Sequence, residues 1–522
     1  AIAAPAGAQI IEREFHRGVM EGPMGLDPQY AVRPVEIAVL TDLFMGLVAT
    51  DASGQPQAGA AESWTLENKG RRWVFKLRQN LKWSDGRPLT ADDFVYSFQR
   101  LLAPQSVAPF ASMFHIIAGA EELHGGKSGT PSKLGVTAKN KQTLVFDLTA
   151  PAPYFLSLLT HPAAFPLRQD QIERNADSWT RPGRMVTNGA YILGEWLPGR
   201  YIKLRKNWGF HDPASVIMDN VFYDIIDHHE VALERFFAGE LHTLSGIPRE
   251  QIARLMEQVP EAVRLHPTLT VDYLVFNTDK PPFDDVRVRQ ALALAIDSRS
   301  LVDDVLESGE IPITGLLPKG MANWRAPAQP TPTGPRPLKR PDSPEQKLAQ
   351  AEKILINAGY GAKDSLRLTL HYNNAETHQL IAKAIAGMWK KIGVRTDLYG
   401  AHYAVHYGDL GLGEFDIARA GWTADFNDPM AVLELLQSKN ERFNYGAFAD
   451  ERFDRLLAQA NMKTNPPERA IDFYRAHERA KELFPVVPLY QHASRNLVGA
   501  TVTGWNDNIE DIHPSRFLNL PD

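Results

Sequence analysis

Hydrophobic spacing divides the chain into alternating helical and extended stretches. Ile37, Leu40, Leu43, Phe44 and Leu47 recur at helical intervals and predict a helix over residues 36–50. Trp73, Phe75 and Leu77 alternate and predict a strand, as do Leu144, Phe146 and Leu148. Asp85-Gly86 is a turn signal. Thr90, with Asp93 three residues on, is a capping box that opens a helix striped by Phe94, Val95, Phe98 and Leu101. Asn188-Gly189 reads as a turn between strand-like runs at 191–193 and 201–204, and 274–276 reads as a buried strand. Asp284-Asp285 caps a helix over 286–296, where acidic residues suit the dipole. Residues 318–344 hold eight prolines in 27 positions, so they form an extended surface loop. That loop ends in Ser343 as N-cap, Pro344 at the first helical position and Gln346 two beyond. The helix it starts carries Leu348, Ala351, Ile354 and Leu355 on one face and stops near Gly359. No internal repeat is visible, and irregular alternation of strands and helices gives an α/β class with several domains.

Composition narrows the function. The 522 residues suffice for several domains. With 56 Lys+Arg against 62 Asp+Glu and a net charge of −6, the chain has no basic block and is a poor nucleic-acid binder. It contains no cysteine, which excludes disulfides, thiolate metal sites and thiol catalysis and suits an oxidising compartment. No run is long enough to span a membrane. The small residues from Ala1 to Ala8 are of the kind that follows a cleaved leader, so a mature exported protein is the expectation.

Chemical motifs are mostly missing. Gly126-Lys127-Ser128 has Glu121 where a phosphate-binding loop needs glycine, and Gly411-Leu412-Gly413 has Asp416 where a dinucleotide loop needs its third. His402 and His406, and the cluster His228-His229-Glu230, lack the further ligands that would define a metal site. There is no nucleophile elbow, and no carboxylate pair is singled out by context. The expectation is no enzyme, no metal and no cofactor. The segment Ala418–Asn427 differs: an apolar run meets Trp422, Asp425 and Asn427. It reads equally as a buried strand ending in a capped turn or as an aromatic wall beside a carboxylate, a receptor for a ligand ammonium.

At these residues the chain resembles the periplasmic oligopeptide-binding proteins of ABC importers. Carrying the resemblance are Leu26-Asp27-Pro28, Asp42-Leu43-Phe44, Ala61-Glu62-Ser63-Trp64 and Leu81-Lys82-Trp83-Ser84-Asp85-Gly86. Asp93-Phe94-Val95-Tyr96-Ser97, Val186-Thr187-Asn188-Gly189-Ala190-Tyr191, the run from Lys280 to Arg289 and the run from Ala418 to Asp425 follow in order. It implies a fold like the type II periplasmic binding proteins, with two lobes, a hinge and an extra third domain (cluster C). The implied domains are 1–46, 178–277 and 490–522 (domain I), 47–177 (accessory domain II) and 278–489 (domain III), with hinge crossings near 277 and 489. A short peptide or other small solute would be enclosed as the lobes close and delivered to the membrane permease subunits of the importer. A periplasmic monomer is implied.

The resemblance also implies site residues. Asp425 matches the aspartate that meets the ligand's α-ammonium. Arg419 and His378 match positions facing its carboxylate end, and His161 and Trp422 line pockets. Backbone pairing would come from Val32, Arg33 and Pro34, from Ser245 and Gly246, and from Ala420, Gly421 and Thr423. Val275, Tyr403 and Tyr490 complete the implied ligand-binding set. Where the family carries glutamates, this chain has Val32 and Val275, and Leu306 and Leu410 replace basic residues. Pro34 removes a backbone donor and Arg33 adds positive charge. These changes point to a ligand narrower or more anionic than a generic peptide: an opine, a sugar phosphate or a cell-wall peptide. A secreted hydrolase is the competing reading from another class.

Overall fold

The computed structural model describes residues 12–127, 133–324 and 343–521. The expectations about residues 1–8, about Ser128 and about most of the proline-rich loop lie outside the described residues. The chain forms two compact units, one of Ala1–Pro248, Leu255–Arg264 and Arg495–Asp522, the other of Arg249–Arg254 and Leu265–Ser494. Two long strands, Val263–Phe276 and Val486–Val498, contribute to both units. The units therefore change inside continuous strands, where no break in the hydrophobic pattern marks a boundary.

In the first unit, Glu14–Val19 pairs in parallel with Asn220–Ile225 and Thr243–Ser245. The antiparallel hairpin Tyr191–Leu197 and Tyr201–Lys206 extends one side, and the end of Val486–Val498 extends the other. Buried Arg17 ties remote pieces of chain together, because its guanidinium donates to the Tyr223 hydroxyl, the His513 carbonyl and the Ser515 hydroxyl. Asp42 accepts from the Tyr223 hydroxyl at 2.9 Å and from the Ser515 backbone at 2.7 Å. Burying both charges is tolerable because each has partners.

A separate antiparallel sheet runs Ala61–Glu67, Arg72–Leu77, Thr143–Asp147, Val136–Asn140. Trp73, Phe75, Leu144 and Phe146 face inward, as alternation predicts. Phe98 and Phe155 pack edge-on against Phe146 at 5.1 and 5.2 Å. The Thr90 capping box is present and opens the helix Ala91–Leu101.

Two expectations change. The helix expected over 36–50 is Pro34–Leu43, and Val48–Thr50 is a strand paired with Pro56–Ala58. Its end is set from far away: the Asn188 side chain accepts from the Met45 N–H and donates to the Met45 carbonyl, so that backbone cannot continue a helix. Asn188-Gly189 consequently is not the turn of the hairpin. The strands turn around Gly199, whose positive φ of 72° glycine adopts readily.

In the second unit, the sheet order is Arg395–Ala401, Arg367–Asn373, Ile417–Thr423, Val263–Phe276, Val486–Val498. Its core gathers Phe276, Val288, Leu292, Leu355, Leu370, Ile385 and Trp389. The Ser343 capping box opens Pro344–Asn357, and Asp285 caps Val286–Leu294 by accepting from the Arg287 N–H. Fully buried Asp428 and Arg469 form a bidentate pair at 2.6 and 3.1 Å that fixes the turn after Asn427. Among the described residues, no helix is long and apolar enough to cross a membrane.

Candidate ligand-binding site

The sequence-predicted residues of the second unit fall into two groups around the strand Ile417–Thr423. This strand runs antiparallel to Val263–Phe276, with Gly421 opposite Asp272, Ala420 opposite Tyr273 and Arg419 opposite Leu274. Arg419 and Gly421, two residues apart, share a face. A Cβ on Gly421 would lie 2.9 Å from an Arg419 guanidinium nitrogen. Glycine there lets the guanidinium fold across its neighbour and pair with Asp272. The same guanidinium donates to Asn373 Oδ1 at 3.0 Å.

His378 joins the group by donating from Nδ1 to the Asn373 carbonyl at 3.1 Å. His492 Nε2 contacts the other Asp272 oxygen, and buried Tyr490 reaches the same carboxylate through its hydroxyl. Burial works against the Asp272 charge, but Arg419 and His492 outweigh it and hold its pKa below the usual range. Burial first, then the Arg419 charge, pushes His378 down, which favours a neutral ring. Arg419 and His378 thus do come together, yet Arg419 is already matched by a buried carboxylate. A ligand carboxylate would meet an ion pair rather than an unmatched cation.

Trp422 points to the opposite face of the strand. Its indole N–H donates to the Ala431 carbonyl at 2.7 Å, and its ring meets Phe443 edge-on at 4.9 Å. Asp425 follows just past the strand end and stands open to solvent as a residue. Protein around its carboxylate nevertheless pushes its pKa up to about 6, with Arg442 pulling the other way. Thr423 bonds its hydroxyl to that of Thr270 at 2.9 Å. Buried Ala420 faces no solvent, and Val275 is buried with Gly446 packed close to it. Tyr403 is exposed at the start of Tyr403–Leu412 and packs on Tyr407 at 4.7 Å. Leu306 and Leu410 are both core residues.

In the first unit, Val32, Arg33 and Pro34 lead into the helix Pro34–Leu43. Glu36 bends back and accepts from the backbone N–H groups of Met24, Val32 and Arg33 at 2.8, 2.8 and 3.0 Å. Pro34 has no N–H, so this segment keeps no backbone donor for a ligand. The Arg33 guanidinium donates to the Gly22 carbonyl and lies 3.3 Å from Glu21. Ser245 ends a strand opposite Asn496, and the Gly246 N–H donates to the Arg495 carbonyl. His161 Nδ1 accepts from the Ala163 N–H, and the ring lies 4.4 Å from Phe110. Burial pushes its pKa down to about 4, as an accepting, neutral ring requires.

The sequence pattern did not single out Glu36, Asp272 or His492. Asp272 had a signal, as a charge inside a strand. The histidines weighed as metal ligands have other tasks. His402 caps its helix by accepting from the Ala404 N–H, and His406 Nε2 donates to the Arg419 carbonyl. Among the described residues, no group of three or more His, Asp or Glu could hold a metal ion. A cavity of about 590 Å³ elsewhere in the second unit, beside Ser298, Pro312 and Lys347, touches none of the residues predicted from sequence.

A large mixed sheet packed with helices is the architecture of the periplasmic binding proteins that this chain resembles in structure. The model of the bacterial extracellular solute-binding proteins, family 5, matches residues 55–444, and the chain belongs to that family. The periplasmic murein peptide-binding protein MppA of Escherichia coli is 37% identical over 522 residues, covering 99% of this chain and 95% of its own. The structure of MppA in its unliganded open form matches with a TM-score of 0.87 at 35% identity, over 98% of this chain and 97% of that one. OppA of Haemophilus influenzae, in complex with the peptide RPPGFSPFR, matches with a TM-score of 0.74 at 30% identity, over 98% and 99% of the two chains.

Proposed function

We propose that this protein is the receptor of an ABC importer, capturing short peptides in the periplasm and handing them to the permease subunits as a monomer. The observation that carries the reading is Asp425: a carboxylate pushed up to about 6 by burial, three residues along the chain from Trp422, whose ring packs on Phe443. A carboxylate without hydrogen-bonded partners gains most from an ammonium, and an aromatic face adds to that attraction. Arg419 and His378 take the far end of the ligand, and Ala420, Gly421 and Thr423 line its path. The family to which the chain belongs supports binding and release rather than turnover. The three-domain division belongs to this proposal, supported by the separate sheet within residues 61–147.

A second reading has its own support. Val32, Arg33 and Pro34 keep no backbone donor, and Arg419 is matched by Asp272. A segment that cannot add a strand pair suits a dedicated solute such as a cell-wall peptide better than any extended peptide. Mass spectrometry of what the freshly purified protein releases on denaturation separates the two. A ladder of mixed short peptides supports the general reading, and a single peptide mass supports the dedicated one. A single non-peptide mass with no amine would overturn the peptide reading and the ammonium role of Asp425, and would point to a dedicated solute of another class.

A further inference from the structure

We propose that the cavity of about 590 Å³ in the second unit is a second binding site, for an amphipathic anion: an apolar chain that ends in one carboxylate. Asp425 and its neighbours do not line it, so it stands apart from the peptide reading. Three helices supply its apolar walls. Leu294 and Ile296 lie at and just past the end of Val286–Leu294, Leu348 in the second turn of Pro344–Asn357, and Met388 near the end of Glu376–Lys390. Ile313, next to the short strand Ile311–Pro312, adds to them. Ile296 and Ile313 are buried, whereas Leu294, Leu348 and Met388 pack on the core and remain partly open. Concave apolar surface left open to water favours an occupant that covers it.

Charge decides which occupant. Arg299, Lys319, Lys347 and Lys391 line the cavity, against the single acid Asp297. Asp297 is already engaged: its carboxylate accepts from the Arg299 and Ser300 N–H groups at 3.0 and 3.3 Å and caps the short helix Ser298–Ser300. Its own N–H donates to Met388 Sδ at 3.4 Å, which holds the thioether in the wall. Two acids close by in the chain are engaged as well, Glu345 with the Ser343 hydroxyl at 2.7 Å and Asp304 with the Ser300 hydroxyl at 2.6 Å. Of the cations, Arg299 lies 3.9 Å from Asp303 and Lys319 donates to the Pro312 carbonyl at 3.4 Å. Among the described residues, no hydrogen bond or ion pair reaches the ammonium of Lys347 or Lys391. The cavity therefore joins apolar walls to an excess of positive charge. A small inorganic anion would leave the walls wet, and an apolar cation would be repelled, whereas an apolar chain with one carboxylate satisfies both.

The test is calorimetry on the full chain with three probes: dodecanoate, dodecyltrimethylammonium and acetate. The wild type is expected to bind one dodecanoate per chain, to bind dodecyltrimethylammonium at least about tenfold more weakly, and to give no saturable heat with acetate. Lys347→Glu combined with Lys391→Glu is expected to weaken dodecanoate by about tenfold or more. Both side chains are exposed, so an unchanged Tm is expected to show that the variant is folded. The milder pair Lys347→Gln and Lys391→Gln should lose a smaller part of the affinity, and it serves as the test should the charge reversal disturb folding. Absence of saturable dodecanoate binding, or equal affinity for the two twelve-carbon probes, would overturn the proposal. So would wild-type dodecanoate affinity in the folded variants, which would mean that the probe sits elsewhere.

Discussion

At the scale of single residues, the account turns on two carboxylates with opposite fates. Asp272 is fully buried and held ionised by Arg419 and His492. Arg419→Met should leave it without its cation and cost about 3–5 kcal/mol in urea unfolding, with much of the loss recovered when Asp272→Asn is added. Burial pushes the Asp425 pKa up to about 6, against the pull of the Arg442 charge. Ammonium binding favours its ionised form, so below that pH the ligand must displace a proton. Affinity is expected to fall by up to about tenfold per pH unit as pH drops through 6. Calorimetry between about pH 7.5 and about pH 5 checks the slope, which Asp425→Asn should flatten while costing about 2–5 kcal/mol of binding. Asp425 stood out as a candidate because a Trp and a carboxylate meet at the end of an apolar run. Arg419 was legible too, but not its neutralisation, because Asp272 lies on a strand far away in sequence and is paired only by the sheet register.

At the scale of elements, local signals decided starts better than ends. Thr90 and Ser343 carry capping boxes that can be read within four residues, and both helices begin where expected. The helix Pro34–Leu43 ends early because Asn188, 143 residues on, holds the Met45 backbone. Its start hides a similar device, since Glu36 serves Met24, Val32 and Arg33 without the usual Ser or Thr at the N-cap. Glu36→Ala is expected to cost about 1–3 kcal/mol of stability, measured by denaturant unfolding, because it strands three backbone donors that water only partly satisfies. An unchanged midpoint would mean the segment holds itself without Glu36.

At the scale of the whole molecule, buried titratable groups of opposite habit offset each other. Burial holds His161, His211, His406 and His477 near 4, well below the unfolded value. Between about pH 6.5 and 4 the unfolded chain therefore takes up more protons at these residues, and stability falls on acidification. Burial raises Asp425 to about 6 and Glu434 and Glu510 to about 7, which works the other way over the same range. The wild type should accordingly keep a nearly flat Tm from about pH 7 to about pH 5. Combining Asp425→Asn with Glu434→Gln should unmask the histidines, so that Tm falls on acidification. The most direct test of the central claim, that Asp425 receives a free ligand amine, is calorimetry with one short peptide in free and N-acetylated form. The account predicts that acetylation abolishes binding to the wild type. Equal affinity for the two forms would contradict it.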